Sequence, residues 1–117
     1  MAIRDYHDKD TAAFVEKGGR GVRRFEQCAK AAIKALTKLQ VVERLVELRS
    51  PPSNNFEALK GEDGRYSIRI DRKWRLRFRW KPLVEPVPED QDILLVQGEP
   101  YDVEISNHYD RGYNHGL

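Results

Sequence analysis

Arginine recurs at alternate positions between residues 64 and 80, and this stretch holds most of the chain's potential chemistry. The arginines concerned are Arg65, Arg69, Arg75, Arg77 and Arg79. A guanidinium group binds two phosphate oxygens at once through its fixed fork of N–H donors. Like charges placed opposite each other on an ordinary solvated sheet are unfavourable. Such a concentration of guanidinium groups therefore predicts a polyanionic ligand.

A few polar residues flank this stretch, all but Asn107 titratable: Glu57, Lys60, Asn107, His108 and Tyr109. Histidine is the side chain most easily poised for proton transfer near neutral pH. Taken alone, however, His108 in a polar tail fits a surface role better than a catalytic one, and Lys60 beside Gly61 fits a turn better than a site. Asp102 and Glu104 offer a further interpretation of the arginines, because carboxylates on the same face would neutralise some of them.

The sequence does not contain the residue patterns of a zinc site, an internal disulfide or a phosphate-binding glycine loop. His7, His108 and His115 are scattered, and Cys28 is the single cysteine, so no zinc-site spacing and no internal disulfide is present. The glycines at 18, 19 and 21 follow a predicted helix and are too few for a phosphate-binding loop. We therefore expect no metal and no other cofactor, and a cytoplasmic location.

The alternation that spaces the arginines also predicts the element that carries them. Tyr66, Ile68 and Ile70 point one way, and so do the apolar residues from Trp74 to Trp80. A period of two predicts two half-buried antiparallel strands, joined by a short turn at Asp71. One face is then apolar, and the opposite face carries the arginines.

Two helices are predicted before this hairpin. Asp8 and Asp10 are suitable N-caps for the first, which Gly18 and Gly19 end. The second starts near Val22 or Arg23 and has one apolar stripe. The members of the stripe are Phe25, Cys28, Ala29, Ala32, Ile33, Leu36 and Leu39. Residues 41–48 either continue this helix or form a separate turn, and the proline-rich segment 50–55 breaks the chain.

Residues 81–100 form an acidic, proline-rich insertion, in which residues 93–96 are compatible with a short strand. Residues 101–105 alternate again and predict a last core strand. The whole pattern indicates one α+β domain over residues 1–117, with both helices on one face of a mainly antiparallel sheet and the arginine face uncovered. We expect the insertion to be a surface excursion; the alternative is an autoinhibitory segment whose carboxylates occupy the arginines.

Charge is unevenly distributed along the chain. Residues 1–80 hold 19 basic and 11 acidic residues, a net +8, whereas residues 81–117 hold 2 and 8, a net −6. A basic main body favours a nucleic-acid partner, although an inert dipolar surface is an equal alternative on charge alone. No apolar run approaches the ~20 residues that span a bilayer, and the first residues lack a signal-peptide core, so no membrane partner is expected.

Several motifs in this order resemble the HigB-type toxins of bacterial toxin–antitoxin pairs, within the RelE/ParE superfamily. They are Ser-Pro-Pro-Ser-Asn-Asn-Phe-Glu-Ala-Leu-Lys-Gly from 50, Tyr-Ser-Ile-Arg-Ile from 66, Trp-Arg-Leu-Arg-Phe-Arg-Trp from 74 and Tyr-Asp-Val-Glu-Ile from 101. The resemblance covers about residues 2–80 and 100–109. It implies a RelE-like microbial ribonuclease fold and metal-independent cleavage of mRNA on the translating ribosome. It also implies a HigA-like antitoxin with a helix-turn-helix. The toxin would contact operator DNA only through this antitoxin.

The same resemblance implies roles for individual residues. Lys60 matches the lysine of the family's Leu-Lys-Gly motif, and Arg75 matches the arginine of Trp-Arg; both would contact the phosphate. The family's last strand often ends Asp-Tyr-His, where this chain has Asn107, His108 and Tyr109, so that His and Tyr are exchanged.

Glu57 stands where some members of the family have a histidine. His108 is then the expected general acid or base in attack by the ribose 2′-OH, with Tyr109 or Glu57 as its partner. RNA-binding roles at flanking phosphates or ribosomal RNA fall to Arg65, Arg69, Arg77 and Arg79.

Two other functions are compatible with the same sequence. A ParE-like toxin shares the fold, acts on DNA gyrase and cleaves nothing. A non-catalytic RNA-binding module would use the arginine face without the titratable residues.

Overall fold

A four-stranded antiparallel sheet with strand order β1-β2-β3-β4 carries the arginines. The computed structural model describes residues 3–62 and 64–107. Its strands are β1 (Glu57–Ala58), β2 (Arg65–Arg69), β3 (Trp74–Pro82) and β4 (Gly98–Asn107). The register sets Arg65 opposite Arg79 and Arg69 opposite Arg75. The predicted hairpin and last strand are therefore confirmed.

Two α-helices precede the sheet, α1 (Lys9–Glu16) and α2 (Ala29–Val41). The Asp8 carboxylate caps α1 by accepting the Thr11 N–H at 2.8 Å, and Gly18 ends it in the left-handed region at φ 68°. The predicted second helix is divided, because residues 23–28 form a 3₁₀ helix before α2. A 3₁₀ turn aligns positions three apart, so Phe25 and Cys28 are both buried.

The chain between α2 and the sheet is a series of short turns. α2 ends at Val41, and a separate 3₁₀ helix spans Leu45–Arg49. Of the two alternatives left open by the sequence, the separate turn is correct. A further 3₁₀ turn, Pro52–Asn54, leads into β1.

The core lies between the helices and the apolar face of the sheet. Ile68, Leu76, Phe78, Val103 and Ile105 are fully buried from the sheet side. Phe25 bridges the two layers, with edge-to-face contacts to Phe14 at 5.7 Å and to Trp74 at 5.4 Å between ring centroids. This arrangement confirms the predicted α+β class with both helices on one face. Ile33 is the exception in the predicted stripe, since it is 41% exposed.

Residues 83–97 form an excursion between β3 and β4. The predicted short strand at 93–96 is wrong: Ile93–Leu95 is a 3₁₀ helix, capped by the Asp92 carboxylate accepting the Leu94 N–H at 3.0 Å. The excursion packs beside the segment after α2, where Arg44 Nε donates to the Leu95 carbonyl at 3.2 Å. Gly98 ends it because a Cβ there would lie 2.5 Å from the Lys81 carbonyl oxygen.

Candidate phosphate-binding and active site

The polar face of the sheet divides into two halves of different charge. Its basic residues alternate with the core residues on β2 and β3, as the sequence predicts. The expectation that this face is uncovered holds for only one half, because acidic side chains cover the other. We name these the neutralised half and the open half.

The neutralised half consists of Glu62, Arg65, Arg77, Arg79, Asp102 and Glu104. The Arg65 side chain is only 5% exposed and faces Asp102 at 3.4 Å and Glu104 at 3.5 Å. Arg77 forms ion pairs with Glu62 and, at 3.7 Å, with Glu104. Asp102 and Glu104 thus neutralise part of the arginine set. Glu62, in the turn before β2, was not singled out from the sequence.

A β-bulge aims Asp102 into this half. The register of β3 with β4 shifts between Arg77 and Arg79, and Asp102 adopts φ 54°. Its carboxylate contacts Arg79 Nε at 3.2 Å and His7 Nδ1 at 2.9 Å. Burial alone would raise the pKa of Asp102, but the hydrogen bond and charge of His7, with those of Arg65 and Arg79, outweigh it and lower the pKa.

Burial also lowers the pKa of Arg65, and the neighbouring charge of Arg77 adds to this effect, while Glu104 and Asp102 oppose it. An arginine starts from a pKa so high that it stays protonated. Arg65 and Asp102 therefore both remain charged. The neutralised half is an ion-pair network built into the sheet.

The open half consists of Glu57, Arg69 and Arg75. Arg75 Nε donates to Ser67 Oγ at 2.9 Å, and one terminal nitrogen donates to the Asn55 carbonyl at 2.8 Å. Both acceptors are neutral. The Glu57 carboxylate stays 3.9 Å from the same terminal nitrogen. The other terminal nitrogen makes no hydrogen bond within residues 3–62 and 64–107, so it is available to a ligand.

The Asn55 carbonyl is held in place by its neighbour. Asn54 is buried, and its Nδ2 donates to the carbonyls of Leu48 at 3.0 Å and Ser50 at 3.2 Å, while Lys38 donates to its Oδ1. Asn55 follows at φ 47°, a left-handed conformation that asparagine tolerates. The segment was predicted only as a break, although its Asn-Asn pair is a signal for such a turn.

Two further cations, Arg69 in the open half and Lys60 in the turn after β1, are exposed. Arg69 on β2 and Lys60 in the turn after β1 take part in no ion pair among the residues that the structure describes. Burial lowers the pKa of Arg75; Glu57 opposes the shift, and the charges of Arg69 and Arg77 add to it. The structure thus brings Glu57, Arg69 and Arg75 together on one face. Lys60 is not part of this group, because it follows Leu59, whose N–H donates to the Arg65 carbonyl at 2.9 Å at the other end of β2.

His108 and Tyr109 lie outside the described residues. Their predicted neighbour Asn107 is the last residue of β4 and pairs with Trp74, while the buried Ser106 pairs with Arg75. Within the described ranges, no three His, Cys, Asp or Glu side chains lie close enough to hold a metal ion. No helix in those ranges is long and apolar enough to cross a membrane.

Fold and site together define a small α+β protein with an anchored arginine, Arg75, on the polar face of its sheet. The family model described as "RelE-like toxin of type II toxin-antitoxin system HigB" matches residues 4–88. Toxin HigB-1 of Vibrio cholerae serotype O1 is 33% identical over 81 residues, which cover 68% of this chain and 84% of that toxin.

The chain therefore belongs to the HigB-like family of RelE-like toxins of type II toxin–antitoxin systems. HigB toxins inhibit translation by cleaving mRNA. As a type II toxin, this protein has an antitoxin partner. The family assignment implied by the sequence motifs is confirmed.

Proposed function

We propose that this protein cleaves mRNA on the translating ribosome by metal-independent transesterification at the open half. In such a reaction the ribose 2′-OH attacks the adjacent phosphate and the 5′-oxygen leaves. Negative charge grows on the non-bridging oxygens, so a preorganised cation beside them lowers the barrier. Arg75 is the residue to which we assign this stabilisation.

The anchoring of Arg75 by neutral groups is the observation that carries the proposal. Ser67 and Asn55 fix the guanidinium through two hydrogen bonds without cancelling its charge. Arg77, two residues along β3, is bound to carboxylates instead. A phosphate approaching this face therefore meets an already oriented charge at Arg75, whose one ion pair among the described residues is the 3.9 Å contact with the exposed Glu57 carboxylate.

The other predicted site residues complete the proposed reaction. Arg69 holds a flanking phosphate, and a phosphate contact by Lys60 stays a prediction, since Lys60 lies near Arg65 at the other end of β2. His108 transfers the proton, with Tyr109 or Glu57 as its partner; Glu57 lies near Arg75, which supports its membership of the site. RNA contacts by Arg65, Arg77 and Arg79 stay a prediction, and each of these would have to share its carboxylate partners.

The proposed setting follows from the family. We propose a helix-turn-helix, HigA-like antitoxin as the inhibitor, operator DNA contacted only through that antitoxin, and a cytoplasmic site of action on the ribosome. The excursion at residues 83–97 packs beside Arg44, which follows α2, and not on the arginines of the sheet face. This position supports its interpretation as a surface addition.

Primer extension on a reporter mRNA, after brief expression of the toxin in cells, tests the proposal. We expect wild type to produce discrete cleavage sites, and Arg75→Gln to reduce cleavage about 10²- to 10³-fold, the usual effect of removing one charge-stabilising donor. Arg49→Gln is the matched control, since Arg49 is an exposed arginine on the separate 3₁₀ turn.

The product ends identify the chemistry. Attack by the 2′-OH leaves a 5′-hydroxyl and a 2′,3′-cyclic phosphate, and a 2′-O-methyl group at the cleaved nucleotide blocks the reaction. Cleavage of the methylated substrate, or a 5′-phosphate product, would refute the proposed mechanism. Undiminished cleavage by Arg75→Gln would refute the role of Arg75.

A further inference from the structure

A basic groove lies between α2 and the turn that joins β2 to β3. Its volume is about 400 Å³, within the range of roughly 300–1,000 Å³ typical of ligand sites. Four basic residues line it, from two separate elements: Lys34, Lys38, Arg69 and Arg72. Ala31 and Ala35 line it between them.

The sequence of α2 makes this groove through two interleaved pairs. Residues four apart lie on the same helix face, so Lys34 and Lys38 stand one turn apart, as do Ala31 and Ala35. The small alanines leave room beside the helix, and the lysines place positive charge along it. The lysine pair lies off the apolar stripe of α2, so packing of the core does not explain it.

The charge of the groove is not cancelled from within. Asp71 is the one carboxylate among the described residues that line it, and its Oδ1 accepts the N–H groups of Lys73 at 2.8 Å and Trp74 at 2.9 Å. Lys34, Arg69 and Arg72 form no ion pair within the described ranges. Lys38 donates to the neutral Asn54 amide. The groove thus holds four cations against one carboxylate that already caps the turn.

The groove adjoins the open half through two contacts. Arg69 lies directly opposite Arg75 in the sheet, and its positive charge contributes to lowering the pKa of Arg75. On the other side, Lys38 holds Asn54, whose neighbour Asn55 anchors Arg75. A chain of phosphates that reaches Arg75 therefore has a continuous basic path toward α2.

We propose that this groove binds the backbone phosphates of the single-stranded RNA next to the scissile bond. Flexible single-stranded RNA is the occupant favoured, because exposed lysines and arginines on two elements contact phosphates without reading bases. The inference rests on the proposed function in taking RNA as the substrate. It adds Lys34, Lys38 and Arg72 to the residues that contact RNA.

The salt dependence of RNA binding tests the groove directly. A fluorescent RNA of about 12 nucleotides is titrated with toxin by anisotropy, at roughly 50 to 200 mM salt. Each phosphate contact to a single strand contributes about 0.7 to the slope of log K against log salt. Lys34→Gln/Arg72→Gln should therefore flatten the slope by about 1.4 relative to wild type.

A matched control separates the groove from net charge. Lys9→Gln/Arg49→Gln removes the same two residue types at exposed positions that do not line the groove, and should leave the slope unchanged. Equal slopes for the groove variant and wild type would overturn the inference. A loss confined to vacant small ribosomal subunits, with the free strand bound normally, would overturn it too by assigning the groove to ribosomal RNA.

The outcome stays distinct from that of the proposed function. The Arg75→Gln variant should no longer cleave mRNA, but should keep most of the slope of log K for RNA binding against log salt. If wild type cleaves no mRNA, the proposed function fails while the slopes still report on the groove. If cleavage is normal and the slopes are equal, only the groove inference fails.

Discussion

The two halves of the polar sheet face are built from the same repeated arginines and have opposite local chemistry. In the neutralised half, Arg65 and Arg77 are buried against carboxylates. In the open half, Arg75 is held by a hydroxyl and a backbone carbonyl, and its one carboxylate neighbour, Glu57, is exposed and 3.9 Å away. An alternating arginine pattern therefore identifies a face, while the acidic residues that reach this face decide which arginines remain available.

The difference separates structural from functional roles. Breaking a buried ion pair leaves a buried charge uncompensated, at a cost of about 3–5 kcal/mol of stability. Removing Arg75 leaves behind only the Glu57 carboxylate, which is 58% exposed and therefore stays solvated. Substitutions in the neutralised half should therefore affect folding first, and those in the open half should affect catalysis first.

The largest expected effect removes the support that both halves share. Trp74 is buried on the opposite face of β3 and contacts Phe25 edge-to-face. Trp74→Ala should cost about 3–5 kcal/mol in the free energy of unfolding, measured with urea. Leu83→Ala is the control, because Leu83 is 59% exposed, and it should change stability by less than about 0.5 kcal/mol. Equal unfolding curves for the two variants would contradict the assigned core.

Glu104→Gln tests the neutralised half alone. Glu104 is 12% exposed and faces both Arg65 and Arg77, so its loss should destabilise the protein by about 3 kcal/mol, near the low end for a buried pair. Glu99→Gln is the control, since its exposed pair with Arg4 should contribute about 0–1 kcal/mol. A stable Glu104→Gln protein with impaired cleavage would reverse the assignment of this half.

Ser67→Ala tests how the open half positions its arginine. Ser67 is fully buried, and its loss removes one of the two anchors of Arg75. A hydrogen bond contributes about 0.5–1.5 kcal/mol, so the cleavage rate should fall by up to about tenfold. The fall should appear in kcat rather than KM, and Ser67→Thr should restore it. An unchanged kcat would show that Asn55 alone positions Arg75.

The smallest effect is the pH dependence contributed by Asp102. Its pKa in the folded protein lies below the unfolded value of about 3.9, so its charged form adds stability that is present above pH ~4 and lost as pH falls below it. Asp102→Asn should therefore be less stable than wild type at pH 7, with the difference shrinking below pH ~4. Asp90→Asn, on the exposed excursion, is the control; a constant Asp102 difference down to pH ~3 would contradict the network.

Periodicity predicted the regular part of this molecule. The alternation around Tyr66 and Trp74 specifies two strands and their faces, since burial decides the face in a period of two. The cap at Asp8 and the stop at Gly18 are local and were equally predictable. The division of the second helix was not, because burial of Phe25 overrides a continuous α-helical pattern there.

The sequence predicted which residues lie on the polar face of the sheet, but not which carboxylates pair with which arginines. Arg75, Arg69 and Glu57 share one face, as the alternation and the family motifs indicate. The buried state of Arg65 depends on a bulge at Asp102 and on Glu62 in a turn. Such contacts join residues distant in sequence through irregular backbone, which no periodic pattern encodes.

The most direct test compares Arg75→Gln with Arg77→Gln in two assays on the same preparations. For each variant, the mRNA cleavage rate per folded molecule and the free energy of unfolding are measured. We expect Arg75→Gln to lose about 10²- to 10³-fold in rate with a small change in stability. Arg77→Gln should lose about 3–5 kcal/mol of stability and far less of its cleavage rate than Arg75→Gln. A stable Arg77→Gln protein that cannot cleave, beside an Arg75→Gln protein that cleaves normally, would contradict the account.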